Sequence, residues 1–482
     1  MQFPPFKGPP LKGILPAEAI KQLSQWVNQP ALTNAIKEAA QKIGIQDTSP
    51  LTNVQDMLRS AGRWVESMIE PWVAGDSPQL KPGINATGEW FHARNTAPRM
   101  SHNGAALAAM LQSNFTDGFA VEASLQRALL ASTGAPDGLV VPNLSIALWL
   151  VSHTLREAGM VEEVVLPRVA CVRLPSSSAA GSVQLRSVLD STLVEVCEIG
   201  SSADCEREDY RKALTHAKQL LLVASPSRPE DHYEAGIAIA RESSAIVCEL
   251  AIDACQHDLP AIGGGVRALS RRWDRGPDLI VAPGQFLLGG PECGIVLGKR
   301  ELVIAIRQVA ESLGMLCDRL TAALLCQTLL EGENEAAWLA TPTPAALTTS
   351  IENLEHRARR IAAQSDISES IEKIEVQRMP LRLGAGGWQN VRLESAVLRV
   401  YPRGMRPSSL ADALANRRIP IWCNVGSESI DLAMRTIDPA EDALVVDALL
   451  QPHQSPESRS ADSRPAEAGS GSIKVVGKDE PT

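Results

Sequence analysis

The feature that most constrains the fold of this chain is a regular alternation of short apolar runs with helical segments. Seven such runs lie in the central part of the chain: Gly138–Val141, Val164–Leu166, Leu193–Cys197, Leu220–Ala224, Ala245–Leu250, Leu279–Ala282 and Gly294–Leu297. A strand that is apolar on both faces is typical of a parallel sheet with helices on each side. The alternation therefore predicts an α/β domain with a mostly parallel central sheet.

Changes in pattern along the chain predict its domain organisation. Four segments are expected: a small N-terminal helical domain over 1–80, the large α/β domain over 81–340, a small C-terminal α+β domain over 341–450 and a disordered tail over 451–482. The C-terminal α+β domain opens with a charged helical pattern around Ile351–Ala363 and contains the strand-like runs Val397–Tyr401 and Ile419–Cys423. The tail is rich in Ser, Pro, Glu and Gly and has no periodicity, which is typical of disorder.

Charge and cysteine usage narrow the class of protein. The net charge of −10 argues against a dominant nucleic-acid surface, because such binding needs a clustered positive field. The nine cysteines form no CxxC pair, so neither a zinc ribbon nor a dithiol redox site is indicated, and no metal site is predicted. No secretory h-region and no long uncharged apolar run are present. These features predict a cytoplasmic protein with reduced thiols and no membrane segment.

Several motifs resemble those of the bacterial selenocysteine synthases, the L-seryl-tRNA(Sec) selenium transferases. The matching stretches are PGINATG at Pro82–Gly88 followed by His92, DLIV at Asp278–Val281, LLGGP at Leu287–Pro291, GIVLGKREL at Gly294–Leu302, IPI at Ile419–Ile421 and DLAMRT at Asp431–Thr436. They occur in the family's order from about residue 14 to about residue 450. The resemblance implies a pyridoxal phosphate (PLP)-dependent transferase of fold type I, assembled as a homodimer or a higher homo-oligomer.

The lysine that the family uses to hold the cofactor is missing. Where the family reads SGDK, this chain reads Pro283-Gly-Gln285-Phe286, and a phenylalanine cannot form an imine with an aldehyde. Only Lys212 and Lys218 lie between Pro82 and Gly298. Their positions opposite and beside an apolar helical face predict surface charges. Covalent binding of PLP is therefore not expected here.

Other positions that the resemblance assigns to the cofactor are altered but still polar. Glu249 stands where the family places an aspartate on the pyridine nitrogen, and Asn143 and Ser145 stand at the helix start that binds the cofactor phosphate. With Gln285, these residues are interpreted as a vestigial cofactor site. Two interpretations stay open: Glu249 could instead pair with an arginine in a structural contact, and Asn143 and Ser145 could serve only as helix N-caps.

The substrate side of the family pattern is also altered. The two arginines that the resemblance assigns to the anionic selenium donor are Leu313 and Leu316 here, and the basic glycine-rich loop is missing between Asn114 and Leu125. A site without these arginines has lost its bidentate donors for an anion.

Three further candidates have structural alternatives. His92 and Cys293 are weak catalytic candidates, because His92 could be a structural histidine and Cys293 a small buried thiol. A glycine run at 263–265 is followed by four arginines that could form a phosphate or RNA patch or a solvated helical face: Arg267, Arg271, Arg272 and Arg275.

These observations leave three hypotheses for function. The first is a catalytically degenerate paralogue that binds a partner, either an active relative or an RNA such as a tRNA. The second is an active selenium transferase with PLP held non-covalently. The third is another transferase or lyase on the same scaffold, acting through His92, Glu249, Asp253 or Cys293.

Overall fold

The computed structural model describes residues 83–90, 101–113, 118–175, 182–202, 204–225, 230–260, 262, 266–382 and 392–452. The predicted N-terminal helical domain and almost all of the predicted tail lie outside these residues. The predicted domain boundaries therefore stay predictions.

A seven-stranded sheet forms the centre of the large α/β part. Its strands are β2 (Asp137–Val141), β3 (Glu163–Pro167), β6 (Glu195–Ile199), β7 (Gln219–Ser225), β8 (Ile246–Ala251), β9 (Leu279–Pro283) and β10 (Gly294–Gly298). They lie in the order β2-β10-β9-β8-β7-β3-β6. Only β10 runs antiparallel to its neighbours in this sheet. Each of the seven apolar runs forms one of these strands, so the predicted mostly parallel sheet is confirmed.

One predicted strand begins later than expected. Leu193 was expected to open the third strand, but it lies in a turn with a φ of 59° and is 77% exposed. The strand begins at Glu195. From sequence alone, an apolar residue next to a strand looks like part of that strand. Here the left-handed backbone at Leu193 places it in the turn before the strand.

Helices cover both faces of this sheet. They are α1 (His102–Ser113), α2 (Gly118–Thr133), α3 (Leu144–Glu157), α4 (Leu185–Asp190), α5 (Arg207–Ala213), α6 (Glu230–Glu242), α7 (Leu269–Arg272), α8 (Arg300–Ser312) and α9 (Arg319–Glu331). Alternate residues of β9 show the two layers: Leu279 and Val281 share a core with α3, and Ile280 and Ala282 share another with α2 and α9. Burial on both faces explains the continuous apolar runs.

The C-terminal part has its own smaller sheet. Strands β11 (Ile371–Arg382), β12 (Arg392–Pro402), β14 (Asn424–Val425) and β15 (Ile430–Ala433) lie in the order β11-β12-β15-β14. Helices α10 (Glu335–Leu339) and α11 (Pro342–Thr348) precede it, and α12 (Ile351–Ser365), α13 (Pro407–Ala415) and α14 (Asp442–Leu450) belong to it. The predicted charged helix is α12, and the predicted run Val397–Tyr401 lies within β12.

Short strand pairs complete the described structure. The predicted strand Ile419–Cys423 is reduced to β13 (Ile421–Trp422), which pairs in parallel with β1 (Ile84–Asn85). Ile84 therefore packs in the core of the smaller sheet. Strands β4 (Arg173–Pro175) and β5 (Ser182–Gln184) form a separate antiparallel pair.

Candidate functional site

The candidate residues meet at one edge of the seven-stranded sheet. Gly294, the first residue of the antiparallel β10, lies opposite Pro283 and Val141, the last residues of β9 and β2. Cys293, Gln285 and Asn143 therefore lie at the same edge. Glu249 lies on β8, near the carboxyl end of that strand. Ligands of open α/β sheets bind outside the carboxyl ends of the parallel strands, so this edge is the candidate functional site.

Phe286 occupies the turn that follows β9. It opens a short 3₁₀ turn, Phe286–Leu288, and its peptide carbonyl accepts a hydrogen bond from the Gly289 N–H at 3.2 Å. The side chain is 0% exposed and belongs to the core that includes α3. Its φ is 66°, a left-handed conformation that costs a bulky side chain about 1–2 kcal/mol. Strain of this kind is typical of functional turns.

The described lysines of the larger α/β part lie away from this edge. Lys218 directly precedes β7 and pairs with Glu162 at 2.5 Å, and Lys299 follows the antiparallel β10 and pairs with Asp278 at 2.6 Å. Both lie at the opposite edge of the sheet. Lys212, like Lys218, is exposed. The two lysines predicted to be surface charges are therefore surface charges.

Glu249 forms a buried ion pair with Arg272. The Arg272 Nη1 donates to Glu249 Oε1 at 2.5 Å, and Nη2 donates to Asp253 Oδ1 at 2.8 Å. Arg272 is 1% exposed and Glu249 is 0% exposed. Burial lowers the pKa of Arg272, but the carboxylates of Asp253 and Glu249 outweigh it and raise that pKa above its ordinary value. Of the two interpretations of Glu249, the geometry favours pairing with an arginine.

Arg272 is held in place by the chain that follows β8. The Ala268 N–H donates to Asp258 Oδ1 at 2.8 Å, and the Leu269 N–H donates to the Cys255 carbonyl at 2.9 Å. These bonds bring the short helix α7 against β8. The interpretation of Arg272 as part of a surface phosphate or RNA patch is wrong, because its side chain is buried. Arg271 is exposed but pairs with Asp258 at 2.6 Å, and residues 263–265 lie outside the described part of the chain.

Asn143 caps the helix at this edge. Its side-chain oxygen accepts a hydrogen bond from the Ile146 N–H at 2.9 Å, and its backbone is extended. The predicted N-cap role of Asn143 is therefore confirmed. Ser145 is not an N-cap, because it lies inside the first turn of α3. The N-cap is the residue directly before the helix, where the backbone is still extended. The sequence alone left Asn143 and Ser145 as candidates for that position.

Gln285 and Cys293 lie together in the tight connection between β9 and β10. Gln285 is 2% exposed, and its side-chain oxygen accepts a hydrogen bond from the Cys293 N–H at 3.4 Å. Burial raises the pKa of the Cys293 thiol far above its ordinary value. A neutral, inaccessible thiol is a poor nucleophile, so the geometry supports the buried-thiol interpretation. His92 lies outside the described residues.

Leu313 and Leu316 lie in the connection between α8 and α9. Leu313 follows the last turn of α8 and is exposed, and Leu316 is partly buried against the core that includes α3. Asp318 then caps α9 by accepting hydrogen bonds from the Leu320 and Thr321 N–H groups. These two leucines offer an anion no hydrogen-bond donor from their side chains.

Comparison with known proteins identifies the family. The family model described as L-seryl-tRNA selenium transferase matches residues 118–438, more than half of the chain. The chain belongs to the L-seryl-tRNA selenium transferase family. An L-seryl-tRNA(Sec) selenium transferase of Hyphomonas neptunium is 24% identical over 92% of this chain and 97% of its own length. One of Geobacter metallireducens is 25% identical over the same shares, and one of Nitratidesulfovibrio vulgaris is 28% identical over 68% of this chain and 70% of its own.

The solved structures agree with the architecture of this family member. A D-glucosaminate-6-phosphate ammonia-lyase superposes with a TM-score of 0.56 at 16% identity, covering 78% of this chain and 96% of that one. The fold is that of the PLP-dependent transferases of fold type I, as predicted. PLP is accordingly the cofactor expected of the family. In the described part of the chain, no helix has the length and apolar character needed to cross a membrane.

Proposed function

We propose that this protein is a selenium transferase family member that has lost the transfer chemistry and acts by binding a partner. The observation that carries the proposal is Phe286, an apolar and fully buried residue in a strained turn after β9. The resemblance places the cofactor lysine at this position. A fold can persist when its site no longer supports the original reaction, because scaffold and chemistry depend on different residues.

The residues at this edge do not fit a covalently held PLP. Capture of the aldehyde needs an accessible primary amine, and the Lys218 and Lys299 amines lie at the opposite edge. One Glu249 oxygen is bonded to the Arg272 guanidinium, which Glu249 shares with Asp253, so a cation of the protein already lies against that carboxylate. No reaction step through the cofactor is therefore assigned to this chain.

The substrate side supports the same conclusion. Leu313 and Leu316 replace the arginines that the resemblance assigns to the selenium donor. An anionic donor is held by bidentate, charge-assisted hydrogen bonds, which a leucine cannot supply. Loss of both the amine and these cations is expected when a family scaffold is retained without its reaction.

The partner that we propose is another copy of the chain or an active paralogue in the same cytoplasm. The family resemblance implies a homodimer or a higher homo-oligomer, and a mixed oligomer would allow this subunit to act on a catalytic one. All nine cysteines are free thiols, which supports a reducing compartment. Binding of tRNA is a weaker possibility, because Arg272, one of the four clustered arginines, is buried.

An active L-seryl-tRNA(Sec) selenium transferase, or another transferase or lyase with non-covalent PLP, is the second candidate. One observation favours it: Glu249 Oε2 is buried and has no hydrogen-bond partner among the described residues. Such an oxygen can accept a hydrogen bond from a ligand. The relatives that match over nine tenths of this chain are also named for that activity.

The test is the absorbance of the purified protein in the presence of PLP, before and after borohydride reduction, with mass spectrometry of the reduced protein. The proposal predicts the spectrum of the free cofactor and no specific adduct. A relative that carries the lysine serves as the positive control. A visible imine band with one specific reduced adduct in this chain would overturn the proposal and favour the active enzyme.

A further inference from the structure

The Arg272 guanidinium makes four hydrogen bonds at the candidate site. Nη2 donates to Asp253 Oδ1 at 2.8 Å, to the Arg267 carbonyl at 3.1 Å and to the Asp253 carbonyl at 3.4 Å, and Nη1 donates to Glu249 Oε1 at 2.5 Å. The planar fork of an arginine holds such contacts in one geometry. Moving this side chain would break all four contacts at once.

The backbone that carries Arg272 is anchored as well. Leu259 and Val266 form a β-bridge, and α7 is tied to Asp258 and Cys255 at its start. Arg272 is the last residue of α7. The buried position of the guanidinium is therefore fixed by the backbone of the segment that follows β8.

We propose that the Arg272 guanidinium takes the electrostatic place of the cofactor's protonated pyridine nitrogen at Glu249, so that a cation of the protein itself closes this site to PLP. The inference rests on the proposed function, in which Glu249 is a vestige of the pyridine-binding carboxylate. It adds a second barrier that is independent of Phe286. Restoring the amine alone will not restore the site.

The physical reason is the sign of the charges around Glu249. A carboxylate keeps a pyridine nitrogen protonated because the opposite charges attract. The guanidinium is permanently charged and is in hydrogen-bond contact with the same carboxylate. A protonated ring nitrogen held by Glu249 would be attracted by that carboxylate and repelled by the Arg272 guanidinium, in a poorly screened interior.

The charge count sets the design of the test. Glu249, Asp253 and Arg272 together carry a net charge of minus one, and removing only the arginine would leave two buried carboxylates. The double change D253N/R272M keeps the net charge of minus one and leaves Glu249 as the single carboxylate. Phe286→Lys supplies the amine in both the test and the reference protein.

A matched control lies between helices α12 and α14 of the C-terminal part. Arg357 donates to both oxygens of Asp442, at 3.2 and 2.7 Å, and the two side chains are buried. The change R357M/D442N removes a buried arginine and a buried carboxylate at a place far in sequence from the candidate site. It controls for general loosening of the fold.

The experiment measures PLP dissociation constants by equilibrium dialysis, with borohydride trapping of the adduct, for F286K, F286K/D253N/R272M and F286K/R357M/D442N. We expect the second protein to bind at least about tenfold more tightly than the other two. The inference is overturned if F286K alone binds equally tightly, or if the control gains as much. Near-ultraviolet circular dichroism checks that each variant is folded.

A second measurement needs only F286K. Its affinity for PLP is compared with its affinity for the carbocyclic analogue, in which C–H replaces the ring nitrogen. We expect equal or tighter binding of the analogue, because Arg272 cancels the benefit of the nitrogen. Binding of PLP more than about tenfold tighter than the analogue would overturn the inference. The wild-type spectrum judges the proposed function separately, so either idea can fail alone.

Discussion

Two buried arginine–carboxylate contacts in this protein differ in what surrounds them. Between two helices of the C-terminal part, Arg357 on α12 donates to both oxygens of Asp442, which opens α14, and also to the Ile437 carbonyl at 2.9 Å. At the edge of the larger sheet, Arg272 satisfies only one oxygen of Glu249, and Oε2 has no hydrogen-bond partner among the described residues. The first contact joins two helices, whereas the second lies at the candidate functional site.

The backbone shows the same contrast. Phe286 adopts a left-handed conformation at the larger sheet's edge, and no described non-glycine residue of the smaller sheet has a positive φ. Backbone strain and an unsatisfied buried acceptor cost stability, and both are typical of functional sites. The backbone strain at Phe286 and the unpaired Glu249 oxygen both lie at the candidate site, whereas Arg357 and Asp442 show neither feature.

The largest expected effect comes from breaking each arginine contact alone. R272M leaves two carboxylates without their cation and should lower the free energy of unfolding by about 3–5 kcal/mol. R357M should cost less, because Arg360 still pairs with Asp442 at 2.6 Å. Urea unfolding of the two variants measures both values. Equal losses would show that the two contacts are structurally equivalent.

At alkaline pH, buried thiols of the larger sheet should lower the free energy of unfolding more than the buried thiol of the C-terminal part. Burial raises the pKa of Cys248 and Cys293 above the ordinary value of 9.0, whereas only Cys423 lies in the C-terminal part, where burial raises the pKa to about 12. The unfolded chain loses these thiol protons first, so the free energy of unfolding falls as pH rises above about 9. The expected slope is about 1.4 kcal/mol per pH unit for each thiol.

The measurement for this pH dependence is urea unfolding at several pH values above 8. C248A/C293A should flatten the dependence by twice as much as C423A. The comparison between the two regions would be weakened if C423A had the larger effect. Wild-type protein at neutral pH provides the baseline, since all three thiols are then protonated in both states.

Because the backbone at Phe286 is strained, a glycine variant at this position should be more stable than an alanine variant, the reverse of the usual order of stability. Both F286A and F286G lose the buried ring, but glycine adopts a positive φ freely, so F286G should be more stable than F286A by about 1 kcal/mol. Guanidinium chloride unfolding measures the difference. The matched pair L287A and L287G, at a neighbouring buried residue without a positive φ, should keep the usual order, with alanine the more stable.

The smallest expected effect concerns helix caps in the two regions. Asn143 caps α3 and Ser350 caps α12, each by accepting a backbone hydrogen bond in the first turn. N143A and S350A should each cost about 1 kcal/mol. A loss at Asn143 well above that at Ser350, measured by thermal unfolding, would show that the edge of the larger sheet depends on Asn143 for more than capping.

Sequence patterns predicted the strands of the larger sheet more completely than those of the C-terminal part. Seven apolar runs became seven paired strands because each is buried on both faces, which leaves a continuous local signal. In the C-terminal part, Ile419–Cys423 was expected as one strand, but only Ile421–Trp422 pairs, with Ile84–Asn85, in a two-stranded sheet separate from the smaller sheet. Its length depends on a partner more than 300 residues away, and local composition carries no information about such a partner.

The features of the candidate site also separate into those that the sequence determined and those that only the structure decided. The sequence by itself determined that position 286 holds no amine and that Glu249 and Asn143 stay polar, because residue identity decides what chemistry a side chain can perform. Only the tertiary structure decided which of four nearby arginines meets Glu249, that Phe286 sits in a left-handed turn, and that Cys293 is inaccessible. Those outcomes depend on how a loop returns to a strand end, where backbone hydrogen bonds and burial select one arrangement from several with the same local sequence.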